Sequence, residues 1–319
     1  MFCDNRVLCQ FNQAAGFALL ILAGVLTLTG PGAQALSMDL PGEPPREGVY
    51  LQAGHLAEAE PALVPAMTDY AAKKIQYIWD TYLAGTDCKG YFAMVPGKEA
   101  FLRPNSLTHE GMGAWFRREL PQLTHLDLSP LLALEDYYTT DLHWRQENLR
   151  DIASCLTLAM ESWAETDYTV NTWAGDFFGT YLGRMTPPLR PDTIHYLTSD
   201  TLDACTVTGY DLMGRPQSQP IYDLERAEKG KPYDLFLSGS QGIQIIENPK
   251  GPAGKELVLF RDSFGSPLAP LLVEGYAKIT LVDLRYVLSY SLADYVDFAD
   301  QDVLFLYSSL LLNNSLALR

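Results

Sequence analysis

The sequence has little positive charge and no dense run of lysine or arginine. Its 319 residues include 23 Lys and Arg against 39 Asp and Glu, which gives a formal net charge of −16. A surface of this sign repels a phosphate backbone, so we expect no nucleic-acid partner. Internal repeats and low-complexity tracts are also absent, and 47% of the residues are hydrophobic. This content excludes a disordered chain and is enough for a sizeable core.

Cysteine is scarce, and its spacing fits no metal site. Five cysteines are present without a CxxC pair. Cys3 and Cys9 lie close to the N-terminus, whereas Cys88, Cys155 and Cys205 lie in the body of the chain. These three allow one disulfide and one free thiol, and the sequence does not assign the pair. Because zinc-ligand spacing is also absent, we expect no metal and no cofactor.

Long apolar runs are missing except at the N-terminus. Residues 14–28 carry no charge, Arg6 precedes them, and Ala33-Gln34-Ala35 follows in the small-x-small pattern of a signal-peptidase site. The run is shorter than the roughly 20 apolar residues of a spanning helix. We predict that residues 1–35 are a cleaved signal peptide, with an uncleaved membrane anchor as the alternative. Either reading predicts an extracytoplasmic protein, secreted or held at the outer face of the membrane.

The rest of the chain divides into a linker and one domain. Residues 36–61 are rich in Pro, Gly and Glu, which predicts a loosely held arm, and residues 62–319 form the domain. Apolar residues at steps of three and four predict helices at 67–83 and 146–163. Ser106 as N-cap, with Glu110 near the first turn, predicts a third helix at 106–118. Short apolar runs predict strands at 90–97, 256–260, 279–283 and 303–307, with helical segments at 267–276 and 288–298. This alternation of strands and helices implies an α/β fold with a parallel sheet.

Three polar residues stand where such a fold collects reactive groups. Ser263 directly follows the strand predicted at 256–260, and ligands gather at the carboxyl ends of strands in open α/β sheets. Serine needs an adjacent base to act as a nucleophile, and His143 is the candidate. Asp141 lies two residues before His143, so in an extended segment both side chains point the same way. The carboxylate can then accept the Nδ1 proton of the imidazole.

Spacing alone does not single out His143. His125 has Asp127 two residues after it and stays open as an alternative. An isolated Asp-x-His or Asp-Ser pair is more often a hydrogen-bonded turn than a catalytic element. The other three histidines are interpreted as surface or hydrogen-bonded residues.

One stretch of the sequence resembles a family signature. Thr140-Asp141-Leu142-His143-Trp144 is similar to the (T)D-x-H-W motif of the DHHW family, which is related to the SGNH-like proteins of alginate O-acetylation. Segments 233–239, 262–265 and 282–286 follow in matching order, and the likeness runs from about Tyr91 to the C-terminus. The resemblance implies an SGNH-like three-layer fold whose motif order is circularly permuted, since SGNH hydrolases place the serine first. The sequence departs at Leu142, where the family name implies histidine.

The resemblance also implies a role for each matched residue. Ser263 is the expected nucleophile, His143 the general base and Asp141 the carboxylate that orients it. The backbone N–H groups of Ser263 and Gly239 are the expected oxyanion donors. Leu142 lies between the two catalytic positions, so its departure leaves these assignments intact.

Two functions are compatible with this pattern. The first is an O-acyl esterase or O-acetyltransferase that uses a Ser-His-Asp triad on a cell-envelope polysaccharide or another acyl ester. The second is a non-catalytic envelope module that binds glycan or assists assembly while the triad is idle. In that case aromatic side chains such as Trp163, Tyr168 and Trp173 would stack on sugars. Turnover of an acyl ester separates the two.

Overall fold

The structure is a computed structural model that describes residues 48–59, 62–102, 107–162, 166–181, 190–211 and 213–319. The predicted signal peptide or anchor, residues 1–35, lies outside these ranges, as does the first part of the predicted linker. Within the described ranges, no helix is long and apolar enough to cross a membrane.

The strands are short, as expected for an α/β domain. They are β1 Val49–Gln52, β2 His55–Glu58, β3 Lys89–Val95, β4 Thr124–Asp127, β5 Thr169–Thr172, β6 His195–Thr198, β7 Thr206–Tyr210, β8 Pro216–Gln219, β9 Ile243–Glu247, β10 Glu256–Arg261, β11 Lys278–Val282 and β12 Asp302–Ser308.

The helices lie between these strands along the chain. The α-helices are α1 Pro65–Ile78, α2 Glu99–Leu102, α3 Leu107–Glu119, α4 Arg150–Ala159, α5 Asp200–Ala204, α6 Leu224–Glu228, α7 Gly265–Leu272 and α8 Ser309–Leu312. A π-helix continues α1, and 3-10 turns occur elsewhere. They are the π-helix Trp79–Leu83 and the 3-10 turns Ser129–Leu131, Leu134–Asp136, Gln146–Asn148, Pro232–Leu235, Val273–Gly275, Ser289–Asp294 and Ser315–Ala317.

The large sheet is mixed. In the described part of the chain it has eight strands in the order β4-β3-β12-β10-β11-β9-β7-β8. Neighbours from β4 to β11 pair in parallel, whereas β9, β7 and β8 pair antiparallel. The α/β class predicted from the sequence is therefore confirmed, but the sheet is not wholly parallel. Parallel neighbours need a long crossover, and the five residues between β7 and β8 are enough only for a hairpin.

Helices lie on both faces of this sheet. Successive side chains of a strand point to opposite faces, and in β10 Leu257 and Leu259 join one core cluster while Val258 and Phe260 join another. Helices α4 and α7 contribute to the first cluster, and α1 and α3 to the second. Burial on both faces explains why β10 and β12 read as nearly continuous apolar runs.

Most predicted helices and strands are present with shifted ends. The helix predicted at 146–163 begins as a 3-10 turn and continues as α4. The prediction of a helix at 288–298 is wrong, because only the 3-10 turn Ser289–Asp294 forms there. This turn contains Ser, Tyr and Asp, which are weak helix formers.

Part of the predicted linker is folded. Of residues 36–61, the segment 48–59 forms the antiparallel hairpin of β1 and β2. Gly54 supplies the positive φ, 79°, that a tight hairpin turn requires. Leu56 is buried, and its amide donates to the carbonyl oxygen of Thr139 at 2.9 Å. The composition that predicted a loose arm is concentrated before residue 48, whereas the hairpin packs on the domain.

Candidate active site

Ser263 lies between β10 and α7, at the carboxyl end of a parallel strand. Residues 261–266 are called the serine turn below. Its neighbour Asp262 accepts the Phe264 amide through Oδ1 at 3.0 Å. Through Oδ2 it accepts the amide and the hydroxyl of Ser308, at 2.9 and 2.6 Å. The carboxylate thus shapes the turn and ties it to the end of β12.

The serine turn rests on a buried arginine. Arg261 has no exposed surface, and its guanidinium donates to Gln244 Oε1 at 2.7 Å and lies 3.6 Å from Asp283 Oδ2. A Cβ atom on Gly265 would lie 2.6 Å from the Cβ of Arg261, closer than such atoms approach. Glycine is therefore required where the helix begins, because the chain passes directly over the arginine.

Asp141 and His143 lie in an irregular segment, residues 137–145, called the histidine loop below. It has no regular strand ladder, so its backbone relies on contacts from elsewhere. Trp144 is fully buried, and its Nε1 donates to the Phe264 carbonyl oxygen at 2.9 Å. This bond joins the histidine loop directly to the serine turn.

The three predicted side chains form one continuous chain of hydrogen bonds. His143 Nδ1 lies 2.5 Å from Asp141 Oδ1, and His143 Nε2 lies 2.7 Å from Ser263 Oγ. A carboxylate only accepts, so Nδ1 carries a proton, and Nε2 is placed to accept the proton of the serine hydroxyl. The structure therefore brings the three residues together in the order that a Ser-His-Asp site requires.

The Asp141 carboxylate is buried and ionised. Its second oxygen accepts the amide and the hydroxyl of Thr180, at 2.8 and 3.0 Å. Burial acts to raise the pKa of Asp141, but the charge and hydrogen bonds of His143, with the amide of Thr180, lower the pKa to about 2. The carboxylate therefore stays charged at neutral pH and can hold the imidazole in one tautomer.

Aromatic rings fix the plane of His143. The Tyr233 ring stacks on the imidazole, with centroids 3.9 Å apart and planes at 16°. Phe264 packs against it at 4.9 Å and 51°. Burial raises the pKa of Tyr233 well above its ordinary value, so the ring is an uncharged phenol. The imidazole can therefore tilt little away from Ser263.

A buried carboxylate from a distant segment holds the start of the histidine loop. Asp192 accepts the amides of Thr139 and Thr140, at 2.8 and 2.7 Å, and the Thr140 hydroxyl at 2.6 Å. It also pairs with Arg145 at 2.6 Å. Four donors thus converge on one side chain, which fixes both sides of the Asp141–His143 pair.

A buried lysine contacts the same loop. Lys98 is 3% exposed, and its Nζ donates to the carbonyl oxygens of Tyr138 and Asp141 at 2.7 and 3.0 Å. Burial lowers the pKa of Lys98 to about 7, while the charges of Asp141 and Asp192 act in the opposite direction.

The alternative histidine lies elsewhere. His125 Nε2 is hydrogen-bonded to the Leu120 carbonyl oxygen at 2.9 Å, and its ring packs on Phe92. His195 pairs with the Thr172 hydroxyl at 2.9 Å. Among the described histidines, only His143 is hydrogen-bonded to the Ser263 hydroxyl.

The two candidate oxyanion donors differ. The Gly239 amide donates to the Phe236 carbonyl oxygen at 3.1 Å, because that bond closes its turn. In this structure the Gly239 amide is therefore engaged within its own turn. For the Ser263 amide, no acceptor is found among the described residues, which leaves it as the better placed of the two.

A cavity of about 300 Å³ opens beside the serine. Its lining includes the Asp141, His143 and Ser263 side chains together with aromatic rings of Phe177, Phe178 and Tyr233. Phe178 is 47% exposed, so the cavity reaches the surface. The surface of this cavity is mainly apolar, and its lining also includes the charged residues Lys231 and Asp234.

Metal binding finds no support in the described part of the chain. There, no group of three or more His, Cys, Asp or Glu side chains is arranged to hold a metal ion. Cys88 and Cys205 are free thiols.

Sequence reasoning missed the residues that support the triad. Thr180, Lys98 and Tyr233 contact triad residues through tertiary folding, and Asp192 contacts the histidine loop on either side of them. None of the four forms a spacing pattern with Asp141. The one available signal was their chemistry. Lys98 is an isolated lysine after an apolar strand and a Pro-Gly turn, which is an unusual place for a charge.

Comparison with known proteins supports the fold. No protein-family model matches the sequence, and no curated protein was found to match it. Among solved structures, a DHHW family protein from Eubacterium siraeum is similar at 20% identity and a TM-score of 0.70, over 88% of this chain and 97% of that one. PatB1 from Bacillus cereus is similar at 19% identity and a TM-score of 0.65, over 83% of this chain and 96% of that one.

A second PatB1 structure, which carries a sulfonyl adduct, aligns at 18% identity and a TM-score of 0.64. It covers 83% of this chain and 95% of that one. The resemblance to the DHHW family that the sequence motif suggested is thus confirmed by the likeness in fold.

Proposed function

We propose that this protein is an extracytoplasmic O-acyl esterase or O-acetyltransferase, with Ser263 as nucleophile, His143 as general base and Asp141 as orienting carboxylate. The observation that carries the proposal is the continuous hydrogen-bonded chain from Asp141 through His143 to Ser263, which lines an open cavity. The proposed substrate is a cell-envelope polysaccharide or another acyl ester. This class follows from the sequence resemblance.

The first half of the reaction forms an acyl-enzyme. Ser263 Oγ attacks the carbonyl carbon of the bound ester as His143 Nε2 takes the hydroxyl proton. The carbonyl oxygen becomes an oxyanion, and the Ser263 amide is the proposed donor to it. When the carbon–oxygen ester bond breaks, the imidazolium returns its proton to the leaving alcohol. Asp141 stays ionised and stabilises the imidazolium throughout.

The second half transfers the acyl group to an acceptor. An alcohol or a water molecule enters the cavity and gives its proton to His143 Nε2 while its oxygen attacks the acyl carbon. The collapse of this second intermediate frees Ser263 Oγ, which takes the proton back. Water gives an esterase, and a sugar hydroxyl gives an O-acetyltransferase.

The wider architecture belongs to the same proposal. We propose a three-layer, SGNH-like domain with a circularly permuted motif order, since Asp141 and His143 precede Ser263 in the chain. Residues 1–35 would direct the protein out of the cytoplasm or anchor it, and residues 62–319 would form the domain, which the 48–59 hairpin extends. The aromatic residues of the glycan-binding alternative do not favour it. Tyr168 and Trp173 pack against core clusters, and Trp163 lies outside the described residues.

The test compares purified wild type with Ser263→Ala and His143→Ala variants. On an acetyl-ester reporter, we expect each variant to lose at least about 10³-fold in kcat/KM, since neither half of the relay works alone. A sulfonyl fluoride should label wild type at Ser263, because activated hydroxyl groups attack such reagents. The sulfonyl adduct of PatB1 makes this probe a natural choice.

Matched controls are Ser218→Ala and His195→Ala. Ser218 is exposed on β8, and His195 pairs with Thr172 away from the cavity. Both controls should keep the wild-type rate and label. Equal rates in wild type and in Ser263→Ala would refute the proposed reaction. Glycan binding without any turnover would instead support the non-catalytic alternative.

A further inference from the structure

Lys98 is the most deeply enclosed lysine close to the triad, and its surroundings are specific. It follows β3 by three residues and is 3% exposed. Its Nζ donates to four backbone carbonyl oxygens, and the Tyr181 ring lies 5.3 Å away. The four acceptors are the carbonyl oxygens of Leu56 at 2.5 Å, Tyr138 at 2.7 Å, Asp141 at 3.0 Å and Thr139 at 3.3 Å.

These carbonyl groups belong to the segments that place the triad carboxylate. Three lie in the histidine loop immediately before His143, and the fourth belongs to the 48–59 hairpin. The hairpin is also tied to the loop directly, since the Leu56 amide donates to the Thr139 carbonyl oxygen at 2.9 Å. An ammonium has three N–H donors and no acceptor, so it suits a cluster of carbonyl oxygens, and the four acceptors here share its three N–H groups. Without it, buried carbonyl groups would be left unpaired.

We propose that Lys98 is a positioning residue, whose ammonium clamps the backbone of Asp141 against the hairpin and so aims its carboxylate at His143 Nδ1. This inference rests on the proposed function in one respect, which is that the Asp141–His143 pair acts as the general base for Ser263. A side chain anchored at the end of a sheet strand is a rigid support for a loop without a ladder of its own. Displacement of a reacting group by about 1 Å can cost about 10²-fold in rate, so the clamp has a catalytic consequence.

Lys98→Met tests the inference, because methionine keeps the apolar stem and removes the three donors. The matched control is Lys255→Met. Lys255 is also partly buried and paired, with Asp302 Oδ2 at 2.7 Å and the Met160 carbonyl oxygen at 3.2 Å, but it contacts no residue of the triad. Three quantities are measured for each protein. They are kcat and KM on an acetyl ester, the thermal midpoint, and the low-field proton NMR signal of His143 Nδ1–H.

For Lys98→Met we expect kcat to fall about 10²-fold with KM changed by less than about threefold. The low-field proton signal should shift or broaden, because the bond to Asp141 no longer has one geometry. For Lys255→Met we expect an unchanged kcat and an unchanged signal, even if its thermal midpoint falls. A Lys98→Met protein that keeps both its kcat and its low-field signal would overturn the inference, and so would equal losses of kcat in the two variants.

Two further arms keep the test decisive. If Lys98→Met does not fold, Lys98→Gln is measured instead, since it keeps two N–H donors without the charge, and the same shift in the signal is expected. If wild type turns over no ester, the proposed function fails, but the NMR signal still decides whether Lys98 positions the pair. An unaltered signal in the folded lysine variant then counts against the clamp.

Discussion

The serine turn and the histidine loop meet at two hydrogen bonds, Ser263 Oγ to His143 Nε2 and Trp144 Nε1 to the Phe264 carbonyl oxygen, but they are held in place by different means. In the serine turn, Asp262 accepts the Phe264 amide through its side chain and the Gly265 amide through its carbonyl oxygen, at 3.0 and 3.1 Å. The histidine loop depends on Lys98, Asp192 and Thr180, whose contacts span 40, 53 and 39 residues of sequence. The serine turn combines bonds between adjacent residues with the tertiary bonds from Ser308 to Asp262, whereas these three supports of the histidine loop all come from distant segments.

This difference predicts where the site is vulnerable. A strand that runs into a helix brings its own ladder and its own amide donors, so the serine can be placed by a short motif. The histidine loop has no such ladder, and several of its backbone groups are paired with side chains from other segments, among them Asp192 and Lys98. Substitutions far from the triad should therefore displace the His143 side chain more readily than the Ser263 side chain.

The largest effect is expected at Asp192. Asp192→Ala removes the acceptor of two amides and a hydroxyl, and leaves Arg145 without its buried partner. We expect the free energy of unfolding to fall by about 3–5 kcal/mol, because unpaired buried polar groups and charges are costly. Urea denaturation measures this fall in stability, and ester kinetics on the folded variant measures the accompanying loss of activity. Asp69→Ala, which removes an exposed pair with Lys73, should leave stability close to wild type.

Labelling of Ser263 sharpens the same comparison. In folded Asp192→Ala protein, reaction with a sulfonyl fluoride should slow because His143 is misplaced, while the serine turn keeps its own bonds. If the variant retains the wild-type labelling rate, Asp192 contributes stability alone and the proposed dependence of the histidine loop on distant residues is wrong.

The sequence allowed prediction of those parts that follow from adjacent residues. The apolar run before Ser263 is present as β10, because strand ends are local properties. The extended segment expected at Asp141 and His143 does not form: the chain bends at 139–143, and the His143 amide donates to Asp141 Oδ1 at 2.9 Å. The two side chains still meet, as their spacing predicted. The parallel strands β10, β11 and β12 were also predictable from their alternation with helices. The antiparallel strands β7, β8 and β9 were not, since the direction of a strand depends on which neighbour it pairs with.

The support of the triad could not be predicted for the same reason. Lys98 and Asp192 are single charged residues that bind mainly to backbone groups of the histidine loop. Every residue has such backbone groups, so the sequence does not show which of them a charged side chain will bind. Gly239 illustrates the converse. Its position in a motif suggested an oxyanion donor, but only the structure shows that its amide is used by Phe236.

A smaller effect is expected from Gly265→Ala in the serine turn. The new Cβ would lie 2.6 Å from the Arg261 Cβ, so the turn must shift away from a buried and fixed side chain. We expect a loss of about 1–3 kcal/mol in the free energy of unfolding and a lower kcat. Gly111→Ala in α3 is the matched control, because nothing lies within 4 Å of its Cβ position. It should stabilise the protein by about 0.5–1 kcal/mol.

An outcome in which Gly265→Ala matches wild type in both stability and kcat would show that the serine turn tolerates displacement. The contrast with the histidine loop would then have to be abandoned, because neither segment would be rigidly specified by its own residues.

The smallest of these effects is a pH dependence of the unfolding free energy, which we expect from Asp141 in the histidine loop. The pKa of Asp141 is lowered from the ordinary value of 3.8 to about 2, with burial opposing the shift and His143 driving it. A carboxyl whose pKa is depressed on folding stabilises the protein above its unfolded pKa, and this contribution is lost as the pH falls toward 2. The full contribution is on the order of 2 kcal/mol, and the part lost between pH 5 and pH 3 is about 1 kcal/mol. Asp141→Asn lacks this stabilisation by the ionised carboxylate at every pH. The difference in unfolding free energy between wild type and variant should therefore become smaller as the pH falls from 5 to the lowest pH at which both proteins fold, on the order of pH 3. Urea denaturation at each pH measures the difference, and a constant gap across that range would show that the charge of Asp141 is not stabilised by its partners.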